Sequence, residues 1–337
     1  MYRVIISKRF EYAIAHQHEE LPIHGHNHEA FFSFTGPVQE NDGMIMELSK
    51  IKTRVLNKIL NTVDHVFIKD SLPELANKLL ATCQREFEED PIIPISVHIH
   101  EKPFFDKVTA SINNPTYYHR SVFLYGISTF GWAKNQFYPI RATATLEIIA
   151  PAFSQGLDKW AHLKNNALYN QDISAQSLSY CIQMFWKELS QLSPTKLTLT
   201  VNNLGISYDG YKEILVYRQS ILAAHYLKKE GRTPEENKAL FGRCTQLHGH
   251  NFDIEMQMLP KNDFQETYGE LLIASDAVLR NWQYSVLPDG IASLAGKTAT
   301  CETFITSLAH DLAIHIPLVS LQLSETENNR FEVNVDV

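Results

Sequence analysis

The sequence lacks the features that mark membrane, nucleic-acid-binding and secreted proteins. No apolar run approaches the roughly 20 residues that a membrane-spanning helix needs. No block of lysine and arginine is present, and the net charge of -8 is spread along the chain, which argues against a nucleic-acid partner. The first residues enter an alternating strand pattern directly, so we expect no signal peptide.

Cysteine is also scarce. The four cysteines, Cys83, Cys181, Cys244 and Cys301, are widely spaced and form no C-x-x-C motif, which predicts reduced thiols in a cytoplasmic protein. The remaining composition is that of a globular protein, with 44% hydrophobic and 20% charged residues and no low-complexity tract. By length alone, 337 residues favour two domains with a sizeable core.

Histidines are what the chain does have, in a distinctive arrangement. His248 and His250 begin an alternating run that predicts a strand, and side chains two residues apart on a strand share one face. His225 ends the preceding apolar segment and can supply a third imidazole from a neighbouring strand. Three histidines with an open fourth position are typical of catalytic zinc, so zinc is the predicted cofactor.

The same pattern occurs near the start of the chain. An Ala-His pair ending at His16 is followed by His24-Gly25-His26-Asn27, as Ala224-His225 is followed by His248-Gly249-His250-Asn251. This repetition predicts a second metal site formed by His16, His24 and His26. The later copy contains a polar insertion over residues 228–238, which we predict to be a surface loop.

The repeat extends beyond the histidines and predicts three units, over residues 1–112, 118–210 and 213–337. In both outer units the histidine strands are followed by apolar residues at helical spacing and then by a strand whose apolar face ends in a carboxylate, Glu101 or Glu325. The middle unit has a similar outline without a histidine pair, and we expect it to be structural.

Local signals place the remaining elements. Helices are predicted at 48–59, from Pro73 onward, at 276–282 and at 301–314, with a further one at 174–189 in the middle unit. Strands of the middle unit are predicted at 122–132, 138–149 and 197–201.

These motifs resemble the 6-pyruvoyltetrahydropterin synthase and 6-carboxytetrahydropterin synthase family. The resemblance rests on the Ala-His pairs, on C-x-x-x-H-G-H-N, on the Asp64-His65 pair and on the strands that end in glutamate. It implies an α+β tunnelling fold (T-fold), in which each unit is a four-stranded antiparallel sheet with two helices between its second and third strands. Three fused units would close a β-barrel as a pseudo-trimer, which removes exposed sheet edges.

The resemblance also implies residue roles. In the third unit the implied zinc ligands are His225, His248 and His250, the catalytic cysteine is Cys244, the pterin-anchoring carboxylate is Glu325, and a Thr-x-Glu substrate contact falls on Thr300 and Glu302. In the first unit the implied zinc ligands are His16, His24 and His26, the catalytic pair is Asp64 and His65, and the anchor is Glu101.

The two outer units depart from the family pattern in complementary ways. The first unit has Glu20 where the family places cysteine, and the third unit has Gln283-Tyr284 in the region where the Asp-His pair is expected. In the family these groups meet across a subunit boundary. We therefore hypothesise one composite site per chain, in which Cys244 faces Asp64 and His65.

The implied substrate is the small molecule 7,8-dihydroneopterin triphosphate, and the preferred product is 6-carboxy-5,6,7,8-tetrahydropterin, a queuosine precursor. A thiolate beside zinc is expected to have a lowered pKa, which suits Cys244 to proton abstraction. The alternatives are a 6-pyruvoyl product, folate-branch side-chain cleavage with Glu20 as base, and a non-catalytic zinc- or pterin-binding assembly protein. An unrelated metallohydrolase is the weakest alternative. Self-association of pseudo-trimeric chains is expected.

Overall fold

A computed structural model describes residues 3–17, 23–101, 106–112, 114–133, 136–150, 160, 178–201, 203–260 and 264–335. The strands are β1 Val4–His16, β2 His24–Gly36, β3 Val66–Ile68, β4 Ile93–Glu101, β5 Asp106–Ser111, β6 Tyr117–Ala133, β7 Gln136–Ala150, β8 Lys196–Val201, β9 Leu204–Tyr208, β10 Glu213–His225, β11 His248–Met258, β12 Val286–Leu287, β13 Leu318–Thr326 and β14 Asn329–Asn334. The α-helices are α1 Leu48–Arg54, α2 Leu72–Glu86, α3 Leu178–Glu188, α4 Pro234–Phe241, α5 Phe264–Trp282 and α6 Cys301–Ala313.

Twelve of these strands form one closed antiparallel barrel. Neighbouring strands pair in the order β1-β2-β4-β5-β6-β7-β8-β9-β10-β11-β13-β14, and β14 pairs with β1 to complete the circle. The short strands β3 and β12 add to β1 and β10 in parallel, outside this circle. Closure satisfies every barrel strand on both sides, so the described barrel presents no long unpaired edge.

Four consecutive barrel strands correspond to each predicted range, with β6 beginning one residue before the middle range, and we use the names first, middle and third unit for these segments. Three backbone seams join them: β5–β6, β9–β10 and β14–β1. The α+β tunnelling fold and its closure as a pseudo-trimer are confirmed. The division into domains at 1–112, 118–210 and 213–337 stays a prediction.

Alternation along the strands separates two faces of the barrel. In β1 every second residue from Val4 to Phe10 is buried on the outer face. This face packs against the helices, where Phe32, Phe34, Phe252 and Phe304 are among the largest fully buried side chains. None of the helices within the described ranges is long and apolar enough to cross a membrane.

The opposite face lines a polar lumen of about 1150 Å³. His98 and His100 on β4 line this lumen, on the face opposite to Glu101. His98 Nδ1 lies 2.7 Å from Thr109 Oγ1, and His100 Nδ1 lies 3.3 Å from a Glu29 carboxylate oxygen. Barrel closure, which local pattern does not encode, turns this face inward.

The polar insertion in the third unit is more ordered than predicted. It contains α4, whose first turn has Thr233 as N-cap, proline at the next position and a capping box completed by Glu236. The side chain of Asn237 is buried and donates to the carbonyl of Arg232. The surface-loop prediction is therefore wrong in part, and the missed signal is the Thr-Pro-Glu-Glu sequence.

Candidate functional site

The register of β10 and β11 brings the third-unit histidines together. His225 is paired with His248, and Ala223 is paired with His250, so both β11 histidines lie beside the end of β10. One ring nitrogen from each of the three histidines lies within 4.8 Å of the others. This is the metal-site geometry predicted from the sequence.

Hydrogen bonds orient two of these rings. His225 Nδ1 lies 3.2 Å from the carbonyl oxygen of Ala299, and His248 Nδ1 lies 2.7 Å from that of Gln246. Donation to a carbonyl fixes the Nδ1–H tautomer and leaves Nε2 as a lone-pair donor, as is usual for metal-binding histidines.

The burial of the ring nitrogens tests whether a cation would fit. Within the described part of the chain, Nε2 of His225 and Nε2 of His250 are buried and make no hydrogen bond. Burial lowers the pKa of His225 to about 4, so its imidazole is neutral near pH 7. Imidazole nitrogens that are buried and unsatisfied form a donor set suited to a divalent transition metal ion.

Glu325 lies at the edge of this triad. It falls where the β13–β14 register shifts, between Ser324 and Thr326, and such an irregularity redirects a side chain. Its Oε1 is 3.7 Å from His250 Nε2 and 3.8 Å from His225 Nε2. The carboxylate therefore borders the space that the three imidazoles enclose.

Two cysteines approach Glu325. The thiol of Cys301, the first residue of α6, is buried, and burial and then the neighbouring Glu325 carboxylate raise its pKa well above the usual range. Cys244 is exposed, and its carbonyl accepts from the Leu227 amide two residues beyond His225. Partial burial and then Glu325 raise the pKa of Cys244, while Arg243 lowers it. The protein groups alone thus do not produce the lowered pKa expected for this thiol.

The N-terminus of α6 joins the third unit to the first. Thr300 caps the helix by accepting from the Thr303 amide, and its hydroxyl donates to the carbonyl of Gly43 at 2.7 Å. Glu302 is only 3% exposed and accepts from the Ile45 amide at 3.2 Å. Burial raises the pKa of Glu302 to about 7. Both residues of the predicted Thr-x-Glu contact therefore hold the 43–45 loop, and their contact with substrate stays a prediction.

The first unit repeats the backbone arrangement of the triad. His16 is paired with His24, and Ile14 is paired with His26, as His225 and Ala223 are paired in the third unit. His16 Nε2 lies 3.2 Å from the buried Glu101 carboxylate. Glu20 lies outside the described residues, as do the side chains of His24 and His26, so the metal-ligand role of this triad stays a prediction.

A fourth histidine of the first unit was missed in the sequence. His28 shares the strand face of His24 and His26 and is fully buried where the third unit has Phe252. Its Nδ1 lies 3.2 Å from the hydroxyl oxygen of the buried Tyr12. The His-Gly-His-Asn-His spacing was the available signal, because a third histidine two residues on must face the same way.

Asp64 and His65 are held against β1. Asp64 accepts from the Ala13 amide at 2.8 Å, the His65 amide donates to the Ala13 carbonyl at 2.6 Å, and the two side chains are 3.0 Å apart. The Ala13 amide holds the pKa of Asp64 below its usual range. His65 has a φ of 58°, which is unusual for a residue other than glycine.

Gln283 and Tyr284 occupy the matching place in the third unit. The Tyr284 amide donates to the Leu222 carbonyl at 2.7 Å, Gln283 Oε1 accepts from the Leu222 amide at 3.0 Å, and Tyr284 has a φ of 59°. The third unit has therefore kept the backbone of this turn and changed its side chains.

The predicted composite site would bring Cys244 next to the Asp64-His65 pair. Among the residues with described side chains, neither Asp64 nor His65 makes a hydrogen bond or ion pair with Cys244. The contacts that do cross from the first unit to the Glu325 pocket come from β1 and the 43–45 loop.

Fold and site together define a closed T-fold barrel with a three-histidine pocket beside a carboxylate. The family profile described as 6-pyruvoyl tetrahydropterin synthase matches residues 5–181 and 214–336, which is most of the chain. The chain therefore belongs to the 6-pyruvoyl tetrahydropterin synthase family.

Individual relatives match about a third of the chain. The 6-pyruvoyl tetrahydrobiopterin synthase of Dictyostelium discoideum is 26% identical over 125 residues, covering 34% of this chain and 91% of the relative. The structure of Caenorhabditis elegans 6-pyruvoyl tetrahydropterin synthase is 22% identical with a TM-score of 0.34, covering 36% of this chain and 95% of that one. The uncharacterized protein WS1659 from Wolinella succinogenes is 12% identical with a TM-score of 0.28, covering 33% and 99%.

Proposed function

We propose that the chain is a zinc-dependent pterin lyase that converts 7,8-dihydroneopterin triphosphate to 6-carboxy-5,6,7,8-tetrahydropterin. The observation that carries this proposal is the His225, His248 and His250 triad with the Glu325 carboxylate under 4 Å from two of its ring nitrogens. Membership of the family supports pterin chemistry in this pocket.

The residues around the triad have distinct proposed roles. The three imidazoles would hold the zinc ion, which supplies Lewis acidity toward substrate oxygens when bound. Glu325 accepts N–H donors from the guanine-like edge of the pterin, and a carboxylate can accept two at once. Cys244, which is exposed to solvent, removes a side-chain proton.

We further propose that Asp64 and His65 relay protons for the Cys244 pocket. What supports this is the complementary loss of groups: Gln283 and Tyr284 keep the turn but lack the carboxylate–imidazole pair. The His65 side chain is 80% exposed and so remains accessible for proton exchange. The pair would serve the third-unit pocket either within the chain or in an adjoining copy.

The deciding experiment incubates the zinc-loaded protein with 7,8-dihydroneopterin triphosphate and identifies the product by mass. A 6-carboxy product supports the proposal, whereas a 6-pyruvoyl or 6-hydroxymethyl product assigns the chain to one of the alternative reactions. Cys244→Ala should abolish turnover and Glu20→Ala should preserve it. The opposite result would assign the base to Glu20 and favour folate-branch cleavage.

A second candidate is a zinc- or pterin-binding assembly subunit without turnover. It is favoured by the third unit's own turn, where Gln283 and Tyr284 stand in place of the carboxylate–imidazole pair Asp64-His65. Bound zinc and bound pterin in a protein that converts no dihydroneopterin would establish it.

We also propose that chains associate through the barrel end that carries the histidines. Exposed apolar side chains cluster there: Ile23 and Leu247 each precede the first histidine of β2 and β11, and Phe67 and Val286 lie on β3 and β12 beside the ends of β1 and β10. Exposed apolar groups of this kind favour protein contacts. Size-exclusion chromatography with light scattering tests this, and dimers of chains are the expected species.

A further inference from the structure

Lys8 interrupts the apolar outer face of β1. The buried positions of this strand run Val4, Ile6, Lys8, Phe10 and Tyr12, and Lys8 is only 9% exposed. Burial lowers the pKa of its amino group more than any other cause does. A buried ammonium group is costly unless it is hydrogen-bonded, so its partners indicate why a lysine is kept here.

The partners of Lys8 lead into the candidate pocket. Lys8 Nζ donates to Asn329 Oδ1 at 2.7 Å, and Asn329 Nδ2 donates to Glu325 Oε2 at 3.2 Å. The amide can make both contacts in one orientation only, because its oxygen accepts and its nitrogen donates. The chain of bonds therefore runs from the first unit to Glu325 in the third, and it leaves Glu325 Oε1 facing the imidazoles.

Glu325 needs such a constraint because its strand does not provide one. The register shift between Ser324 and Thr326 removes the regular alternation that would aim the side chain. Asn329, in contrast, is in regular register opposite Lys8. The regular pairing of β14 with β1 can thus hold Asn329 in place, and Asn329 in turn can hold the Glu325 carboxylate, whose own backbone is irregular.

The three seams of the barrel allow an internal comparison. Arg120 stands opposite Asp106 at the β5–β6 seam, in the register position of Lys8 opposite Asn329, and the preceding strand β4 ends in the carboxylate Glu101. Tyr217 stands opposite Leu204 at the β9–β10 seam, where β8 ends in Val201. The residue at this register position is therefore cationic at the two seams whose preceding unit carries a glutamate at the end of its third barrel strand, with Lys8 after Glu325 and Arg120 after Glu101. It is the uncharged Tyr217 at the seam where the corresponding strand ends in valine.

We infer that Lys8 is a positioning residue that orients the pterin-anchoring carboxylate of Glu325 through the Asn329 amide. The inference rests on the proposed function, since it gives a specific role to a residue of the first unit in the pocket of the third. Without the Lys8–Asn329 contact, the Asn329 amide is no longer held in the orientation that donates to Glu325 Oε2, and the carboxylate is free to turn away from its present position. Pterin binding should then weaken while the proton-transfer groups remain in place.

The test compares Lys8→Met with Lys52→Met. Methionine keeps the length and apolar stem of Lys8 but cannot donate, and Lys52 is an exposed neighbouring lysine whose charge acts on Lys8 without sharing its hydrogen bonds. We expect Lys8→Met to raise KM for the triphosphate and Kd for neopterin, measured by fluorescence titration, by about tenfold with kcat changed less than about twofold. Lys52→Met should leave all three unchanged.

A double-mutant cycle separates this role from a general packing effect. If Lys8 acts through Asn329, then Lys8→Met combined with Asn329→Ala should be no worse than the more severe single variant, and Lys8→Arg should restore part of the affinity. Metal content and melting temperature should match wild type throughout.

Two results would contradict the inference in distinguishable ways. The role of Lys8 alone is overturned if the wild-type protein converts the triphosphate and Lys8→Met has the same KM and Kd as wild type. Additive effects in the double variant overturn it as well. A wild-type protein that neither binds neopterin nor converts the triphosphate overturns the proposed function, and the inference with it.

Discussion

The pockets of the first and third units share a backbone but differ in most of their reactive side chains. Both have histidines in the same strand register and a buried or half-buried carboxylate at the end of the third barrel strand. The first unit adds His28 and Tyr12 to this face, whereas Phe252 and Ile221 stand there in the third. The comparison teaches that strand pairing preserves the register of the histidines while the surrounding chemistry diverges.

The second α-helix after each histidine strand shows the same divergence. Both α2 and α6 begin after a hydroxyl-bearing N-cap, Ser71 or Thr300. The two residues after the cap are Leu72 and Pro73 in the first unit but Cys301 and Glu302 in the third. The buried thiol of Cys301 and the buried acid Glu302 are therefore specific to the third unit.

The largest expected effect separates the two triads. We expect His250→Ala to reduce turnover by more than about 100-fold and to release zinc, because one of three ligands is lost. His26→Ala, its counterpart in the first unit, should leave turnover within about twofold while lowering the zinc content of the chain. Metal analysis with steady-state kinetics measures both, and equal loss of activity in both variants would mean that the first-unit site also works.

The next effect tests which unit must supply the proton relay. His65→Ala should lower kcat by about 10²-fold or more, the usual contribution of a positioned acid–base group. Adding Gln283→Asp and Tyr284→His rebuilds the pair on a turn with the same φ and hydrogen bonds. We expect no rescue, since the relay belongs to the first unit; recovered turnover would show that each pair acts beside its own triad.

A smaller effect concerns the buried acid that only the third unit carries. The pKa of Glu302 is raised from its ordinary value of 4.5 to about 7, so the folded state binds its proton more tightly than the unfolded state does. The protonated Glu302 carboxyl therefore contributes to the free energy of unfolding fully below about pH 4.5, and this contribution is lost as the pH rises through about 7. Glu302→Gln keeps an acceptor for the Ile45 amide and should be stabilised relative to wild type at pH 8 by up to about 3 kcal/mol. Chemical denaturation at pH 4.5 and pH 8 checks this difference.

The smallest expected effect compares the glycines of the two His-Gly-His motifs. A Cβ at Gly25 would lie 2.9 Å from the Ile14 carbonyl oxygen, whereas one at Gly249 would lie 3.4 Å from the Ala223 carbonyl oxygen. Gly25→Ala should therefore destabilise the protein by about 1 kcal/mol more than Gly249→Ala. Thermal melts of the two variants provide the measurement, and equal melting temperatures would contradict the predicted difference in crowding.

Local pattern predicted the elements that carry their own signal. The helix from Cys301 ends at Ala313, one residue before the predicted end, and the helix at Pro73 begins at Leu72. The fourth strands β5, β9 and β14 were not located individually, because each is only five or six residues long and is defined by its partner. The 48–59 segment begins as α1 but continues in a π-helical turn from Val55, which side-chain spacing does not distinguish.

The site was predictable where its chemistry is periodic. The third-unit triad follows from strand alternation together with one strand pairing, and both can be read from residue spacing. Lys8 and Cys301 could not be found in this way, because they come near Glu325 only through the β14–β1 seam and the packing of α6. Asn329 lies four residues beyond Glu325, but its role depends on the contact with Lys8 across that seam. Contacts between residues some 320 positions apart depend on closure of the whole barrel.

Pairing of Val4 with Val333 places the first and last strands of the chain side by side. During synthesis β1 emerges first, and its neighbour β14 is made some 320 residues later. Until then the nascent sheet carries an open edge, a state prone to association with other chains. Truncation before β14 should therefore expose β1 and promote aggregation.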